Sequence, residues 1–305
     1  MRYFARGFFN RHHFDARVWK VSVDAGTDCP NRDGRVGSGG CVFCNPASFS
    51  PSRRSAATTI TAQLEEGVER MRRRYKAEKF IAYFQPGTNT NASVERLSQL
   101  FAEALSHENV VGLAIGTRPD CLGDDVVDLL SDLAQSTWLS LELGLQSIHE
   151  RSLRWMNRGH GYDTFLDAIA RCEGRGFEIG AHVILGLPGE SRDDMAATAR
   201  ELARVGINAV KLHNLHAVKN TPLAKMVADG DVTFPSLGEY VGWTVDFLEL
   251  LPPTCVIDRL SGDAPPEFLL GPAWCSDKAA ARQAVDEEFQ RRDSWQGKHW
   301  KPSEP

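Results

Sequence analysis

The chain has 305 residues, an ordinary composition for a water-soluble globular protein and a formal net charge of −5. That length can bury one large α/β core or two smaller ones, and the slightly acidic balance excludes a general polyanion binder, leaving only local basic patches for any nucleic-acid contact. No apolar run reaches membrane-spanning length, and the basic N-terminus MRYFARGFFNRHHF lacks the apolar stretch and cleavage site of a secretory signal, so a cytoplasmic protein with no membrane contact is expected.

In chain order, short apolar or β-branched runs predict strands over 18–26, 79–85, 110–117, 138–146, 178–188 and 208–215. Helical periodicity fills the intervals, over 58–77, 93–106, 124–134, 161–175 and 191–205, with Leu64, Val68 and Met71 on one face of the first helix. Asp124 with Asp125, and Ser191 with Asp194, place acidic groups at helix starts, where the helix dipole favours them. Six strands each followed by a helix predict right-handed βαβ units and a parallel sheet. The strands are nearly all apolar, as strands buried on both faces should be. The repeating units occupy about 200 residues, short of the roughly 250 typical of a closed eight-unit barrel, so the predicted fold is a partial (β/α)6 barrel over 1–235. Beyond it lie a helix over 236–251, a Pro-Pro break, a candidate strand at 255–260, a proline-rich loop and a charged helix over 276–292. Residues 236–305 read as a C-terminal extension packed on the barrel.

Seven cysteines, an odd count, argue against a disulfide framework. Three of them, Cys29, Cys41 and Cys44, stand as C-x11-C-x2-C directly after the first predicted strand. That is the C-terminal edge of a parallel sheet, where such folds carry their chemistry. Gly37, Gly39 and Gly40 let the loop wrap closely around a bulky group. Soft thiolates select zinc, copper(I) or iron–sulfur clusters. Three readings compete: zinc with His12 or His13 as fourth ligand, dithiol redox chemistry at Cys41–Cys44, and an iron–sulfur cluster with one iron left open. Cys121, Cys172, Cys255 and Cys275 show no metal-like spacing and read as small buried hydrophobes.

The other strand ends carry polar candidates. Gln85, Gly87, Thr88 and Asn89 follow strand two, and Arg118 follows strand three, where it suits a carboxylate or phosphate. Glu142 sits inside an apolar strand, where an unpaired carboxylate is costly, and Gln146 and Ser147 close that strand. His182 reads first as a satisfied core residue. Gly186, Leu187 and Pro188 form a turn that allows close backbone approach to a flat ring. Lys211 and His213 share one strand face by the two-residue period, suited to binding an anion or moving protons. The basic run ERMRRRYK (69–76) reads as a solvated helix face with Glu66–Arg70 and Glu69–Arg73 pairs. Together with Arg53, Arg54 and RHHF it is also a candidate surface for RNA phosphate.

The strings VDAGTDCPNRDG…GGCVFC, YFQPGTNTNA, IGTRPDCL, LELGLQS, HVILGLPGE, LHAVKNTPLA and DRLSGD, followed by QGK, resemble the radical S-adenosylmethionine (SAM) family that includes YhcC and YtqA (MnmL), a relative of the radical-SAM half of the Elongator catalytic subunit. The resemblance runs over about 15–300, with the motifs in order on successive strands. The first cysteine gap is eleven residues, where most of the superfamily has three, and this departure points to that one branch. The resemblance implies an enzyme in which Cys29, Cys41 and Cys44 hold three irons of a [4Fe–4S] cluster and SAM chelates the fourth. It implies SAM contacts from Gln85, Gly87, Thr88, Asn89, Arg118, Glu142, Gln146, Gly186, Leu187 and Pro188, with Lys211 and His213 as catalytic candidates. A flavodoxin- or ferredoxin-type reductant would supply the electron. The implied substrate is transfer RNA, in which the carbon-5 side chain of a wobble uridine passes from carboxymethylaminomethyl toward aminomethyl. A small-molecule or protein substrate, or a non-catalytic metal protein, is the alternative.

Overall fold

In the computed structural model the described residues are 1–302. The predicted rhythm appears as strands β1 (Val18–Val23), β2 (Lys79–Phe84), β3 (Val110–Thr117), β4 (Trp138–Gln146), β5 (Glu178–Leu185) and β6 (Ala209–Asn214). A short β7 (Ala217–Val218) follows, then β8 (Val256–Arg259) and β9 (Leu269–Gly271). The main sheet has seven strands in the order β1-β2-β3-β4-β5-β6-β8, all neighbours parallel. The strand foreseen at 255–260 is thus the seventh member of the barrel sheet, paired to β6. β7 and β9 form a separate antiparallel pair.

Helices cover the convex face, and their starts follow the sequence signals. Ser191 closes a reciprocal capping box with Asp194, and Ser236 does the same with Glu239. Thr59 caps the helix Ile60–Tyr75, whose Leu64 and Val68 are buried against β1 and β2. The main core is this layer, with Val21, Val23, Phe84, Phe101, Leu143 and Val210 among its members. It packs sheet against helices, as a half-barrel requires.

The concave face corrects the expectation of strands apolar on both sides. Strand alternation sends Lys20 and Ser22, Tyr83, Ser140 and Glu142, His182, and Lys211 with His213 inward. Glycines at Gly112, Gly116, Gly144 and Gly180 keep space between them. A Cβ at Gly112 would stand 2.5 Å from the Trp138 carbonyl oxygen, and one at Gly144 2.4 Å from Arg158 Nη2. An open barrel has no eighth strand to seal its interior, so this face lines a cavity and is built from polar groups that need solvent or a ligand.

A helix not foreseen in the sequence, Arg6–Phe14, closes the N-terminal end of the barrel. Its entry pairs with β8 through an Ala5–Ile257 bridge and the Ile257 N–H donating to the Phe4 carbonyl at 2.8 Å. Arg6 is buried between Glu178 and Asp258. Phe14 and Ala16 pack on Val18, Ile81, Tyr83 and Ala114 to plug the floor. Chemistry is therefore confined to the other end, where the strands finish. Among the described residues no helix is long and apolar enough to cross a membrane.

Candidate active site

The half-barrel encloses a cavity of about 1000 Å3 that runs from the β1 and β6 strand interiors to the loops at their ends. Cys29, Cys41 and Cys44 all border it. The loop that bears them is locked by backbone and amide bonds. Gly40 N–H donates to the Asn31 carbonyl at 2.8 Å, and Val42 N–H to the Met156 carbonyl at 3.0 Å. Asn31 Nδ2 donates to the Asn157 carbonyl at 2.5 Å, and Asn157 Nδ2 returns to the Gly40 carbonyl at 2.9 Å. Gly39 and Gly40 adopt φ of +78° and +80°, so here glycine is required. The polar trio in the long gap divides in role. Asn31 pins the loop and Asp33 grips Arg35 at 2.6 Å, while Arg32 turns its side chain to the cavity.

Cys41 is 5% exposed and receives two N–H groups: Arg158 Nη1 at 3.5 Å and Asn31 Nδ2 at 3.7 Å. Burial, with the neighbouring Cys41 and Cys29 charges, pushes the Cys44 thiol up to about 12. The Cys44 thiol gives up its proton to a metal and to little else. The donor set fits a cluster better than zinc. Among the described residues no three His, Cys, Asp or Glu side chains close on one point as a single ion demands. His12 and His13, the candidate fourth ligands, belong to the helix at the opposite end, stacked on Phe8 and Phe9. Three thiols spread along a cavity wall suit a polynuclear group in which each sulfur holds its own iron.

The remaining candidates separate. Gln85, Gly87 and Thr88 line the cavity, and the Thr88 hydroxyl is buried there with no partner. A Cβ on Gly87 would approach the Thr27 carbonyl oxygen to 2.4 Å, so that edge tolerates only glycine. Asn89 does not reach the cavity. Its amide donates to the Phe84 and Gly116 carbonyls at 2.9 and 2.8 Å and ties β2 to β3, which corrects its assignment as a SAM contact. Arg118 borders the cavity, yet Asp120 already fills its fork at 2.8 and 2.7 Å and its Nη1 holds the Arg158 carbonyl at 2.9 Å. It orients the Arg158 turn. Gln146, at φ +76°, faces the cavity. Gly186, Leu187 and Pro188 do not line it. The chain turns away at Gly186 (φ +82°), whose Cα packs toward Pro235 and Trp243, and Leu187 joins an apolar cluster with Leu153 and Leu215. Ile184, one alternation earlier, is the cavity residue of that strand.

Glu142 is 1% exposed, and three donors occupy it: Lys20 Nζ at 2.5 Å on one oxygen, His182 Nε2 at 2.7 Å and Lys211 Nζ at 2.8 Å on the other. The expected direct contact to SAM gives way to an internal hub. Burial opposes its ionisation, but Lys20 and Lys211 overcome this and hold the carboxyl well below the usual range. The two lysines differ. Lys20 has a second carboxylate in Asp258 at 3.2 Å, and although burial opposes its charge, Asp258 and Glu142 raise its pKa. Lys211 has Glu142 and the Tyr83 hydroxyl (2.7 Å), and burial lowers it to about 8. Lys211 and His213 both face the cavity, as alternation predicts. Burial also drives His182 down to about 4, so its ring is neutral at pH 7. The sequence reading passed over Lys20, Tyr83, Arg158 and Arg259. Alternation inside VWKVSV marks Lys20. No local signal marks Arg158, which arrives from a turn beyond β4.

A family model described as Radical SAM superfamily matches residues 31–202, more than half of the chain, and one described as Radical_SAM C-terminal domain matches 207–291. The chain belongs to the radical SAM superfamily. It is 40% identical to YtqA of Bacillus subtilis (strain 168) over 97% of this chain and 92% of that protein, and 35% identical to YhcC of Escherichia coli (strain K12) over 95% and 94%. A tRNA uridine(34) acetyltransferase of Dehalococcoides mccartyi (strain CBDB1) is 28% identical over 59% of this chain and 39% of its own. Among solved structures, archaeal Methanocaldococcus infernus Elp3 with an N-terminal deletion shares the fold with a TM-score of 0.70 at 16% identity, covering 92% of this chain and 64% of that one. The protein is thus a radical SAM enzyme, and the cofactors of its superfamily are a [4Fe–4S] cluster and SAM. The grip of Arg158 on Cys41 then has a measurable consequence. A cation donating to a cluster sulfur favours the reduced, more negative cluster. Arg158→Gln is expected to make the cluster potential more negative, by on the order of 50–100 mV if one charge-assisted bond is lost. A potentiometric titration followed by electron paramagnetic resonance checks it.

Proposed function

We propose that this radical SAM enzyme modifies the carbon-5 side chain of a tRNA wobble uridine, converting carboxymethylaminomethyl toward aminomethyl, with Cys29, Cys41 and Cys44 holding the cluster. When bound and reduced, by a flavodoxin- or ferredoxin-type donor, the cluster supplies the electron that splits SAM into methionine and a 5′-deoxyadenosyl radical able to take a hydrogen atom from the substrate. The chain's residues supply the rest. The floor helix seals the strand-start end of the cavity, Thr88 and Gln146 offer polar contacts beside the cysteine loop, and Lys211 is an amine poised to give or take a proton.

The observation that carries an RNA substrate is the arginine lining of the cavity. Arg53 and Arg54 follow the cysteine loop, and Arg70 and Arg74, one turn apart on the helix Ile60–Tyr75, line the cavity along the β1 edge, although the chain as a whole is acidic. Glu66, expected to pair with Arg70, instead accepts from Ser55 at 2.7 Å. Trp19, 38% exposed, stacks on Tyr75 beside Arg74 with ring centroids 4.0 Å apart and offers an aromatic face for a base along that edge. The printed name of the acetyltransferase relative, a protein acting on tRNA uridine 34, supports the same reading. Nucleoside mass spectrometry of tRNA from cells with and without the gene tests it: the carboxymethylaminomethyl nucleoside should accumulate and the aminomethyl one disappear when the gene is absent. An unchanged wobble-uridine profile, with intact SAM cleavage by the purified enzyme, turns the assignment to a small-molecule or protein substrate.

A further inference from the structure

Each cation of the barrel interior has a carboxylate within 3.2 Å, with two exceptions. Arg6 holds Glu178 and Asp258, Lys20 holds Glu142 and Asp258, and Lys211 holds Glu142. Arg158 faces the Cys41 sulfur. The other exception is Arg259, on β8. Its Nη2 donates to the His213 ring, at 2.5 Å from Nδ1 and 3.2 Å from Nε2. A neutral imidazole is a weak partner for a guanidinium, and burial with the Arg259 charge holds His213 well below its usual pKa. The nearest acid, Asp263, stands 4.0 Å from Nη1 and is itself engaged at 2.8 Å by Lys278. Arg259 Nε is buried with no partner at all. A cavity-lining guanidinium with a neutral imidazole as its close partner, and no carboxylate nearer than 4.0 Å, suits a planar oxyanion.

We propose that Arg259, with His213 beside it and Lys211 as its register partner on β6, forms a carboxylate subsite of the cavity, and that it receives the carboxylate carried by the substrate's modified side chain. Register places these groups in one row: Lys211 pairs with Arg259 across β6 and β8, and His182 with Lys211 across β5 and β6. The row lies inside the barrel, on β5, β6 and β8, whereas Arg53 and Arg54 follow the cysteine loop and Arg70 and Arg74 lie along the β1 edge. A nucleic-acid backbone is met at those outer arginines, and only a slender side chain of a base carries a negative charge deeper. The cysteine loop crosses the strand ends, with Val42 bonded to Met156 and Leu223, and borders the same cavity, so the subsite anchors a substrate by its far end and presents the atoms between to the reaction centre. The subsite stands on the surroundings of Arg259 alone. Its assignment to a uridine side chain rests on the function proposed above.

The test uses the full-length, cluster-reconstituted enzyme with SAM, kept free of oxygen, and the variant Arg259→Gln. Iminodiacetate, an aminoacetate probe unrelated to uridine, should raise the melting temperature of the wild type beyond an equal ionic strength of chloride, and should not do so for Arg259→Gln. By calorimetry, 5-carboxymethylaminomethyluridine should bind the variant about tenfold to a hundredfold more weakly than the wild type, the loss typical of a charge-assisted pair. The 5-aminomethyl nucleoside and SAM should bind both within about twofold, a spread small beside that loss. Equal stabilisation of both proteins by iminodiacetate overturns the subsite. Stabilisation by inorganic phosphate as large as that by iminodiacetate overturns its carboxylate chemistry. A tenfold loss in SAM affinity assigns Arg259 to the cofactor's carboxylate and overturns the substrate role. A response to iminodiacetate without discrimination between the nucleosides upholds the subsite and rejects the uridine assignment. Arg259→Lys keeps the charge without the fork and should lose part of the affinity; it carries the test if circular dichroism shows Arg259→Gln to be unfolded.

Discussion

Cys41→Ala protein, reconstituted with iron and sulfide, is expected to hold at most about a tenth of the wild-type iron and to release no 5′-deoxyadenosine when reduced with SAM, since a cluster with only two of its protein thiolates loses the ligand field that keeps it assembled. Cys41 is the strictest of the three cysteines to test. It is the most enclosed, and both Arg158 and Asn31 aim N–H groups at its sulfur, so no mobile neighbour can take its place. Cys29 is a softer test because Cys121 lies within range of its charge. Cys121→Ala should therefore retain iron at the wild-type stoichiometry. Deleting one sulfur from the loop leaves the bonds through Asn31, Asn157 and Met156 intact, so the variant should fold, with an unchanged far-ultraviolet circular dichroism spectrum. Wild-type iron content in folded Cys41→Ala would sink the ligand assignment.

The rhythm of strands and helices was legible because each segment carried its own signal: apolar runs of strand length, helical stripes, and acids at helix starts. The capping box at Ser191 and the buried Leu64 and Val68 follow from those local rules. Parity along a strand was legible too, and it brought Lys211 and His213 into the cavity. Parity fails where a strand stops. Gly186 continues the inward series of His182 and Ile184 on paper, but its left-handed backbone turns it onto Trp243, and a sequence does not print φ. Asn89 illustrates a second limit. Its side chain is as suited to backbone carbonyls as to a ligand, and the choice depends on how β2 and β3 finish in space. The N-terminal helix, the pairing of β8 with β6 and the meeting of Arg158 with Cys41 are contacts between residues far apart in the chain, on which local periodicity is silent. Glu142 lies between these cases. Its position in an apolar strand announced a partner, expected to be SAM; three donors from β1, β5 and β6 fill that role.

Those three donors make Glu142→Ala the substitution with the largest expected effect on stability. Removing the buried carboxylate leaves Lys211 without a carboxylate and Lys20 with Asp258 alone, and breaking a buried pair typically costs about 3–5 kcal/mol. Urea denaturation of the apoprotein at pH 7 should show that loss as a lower midpoint; a midpoint unchanged from the wild type contradicts the hub. The pH dependence separates this role from simple loss of packing. In the wild type the carboxyl is held below its unfolded value, so its stabilisation is fully present above roughly pH 4.5 and fades as the pH falls through the folded-state value. The difference between wild type and variant should therefore shrink in acid. It should also shrink on the alkaline side, through Lys211. Lys20 keeps Asp258 when Glu142 is gone, whereas Lys211, already lowered to about 8, loses its one carboxylate and is lowered further. A lysine depressed in the folded state destabilises most at low pH, where the unfolded chain binds the proton more readily, and the penalty lifts as the pH approaches the unfolded value near 10.4. The gap in stability between the two proteins should thus be widest near neutrality and narrower at both pH 4 and pH 9. A packing defect alone gives the same gap at all three.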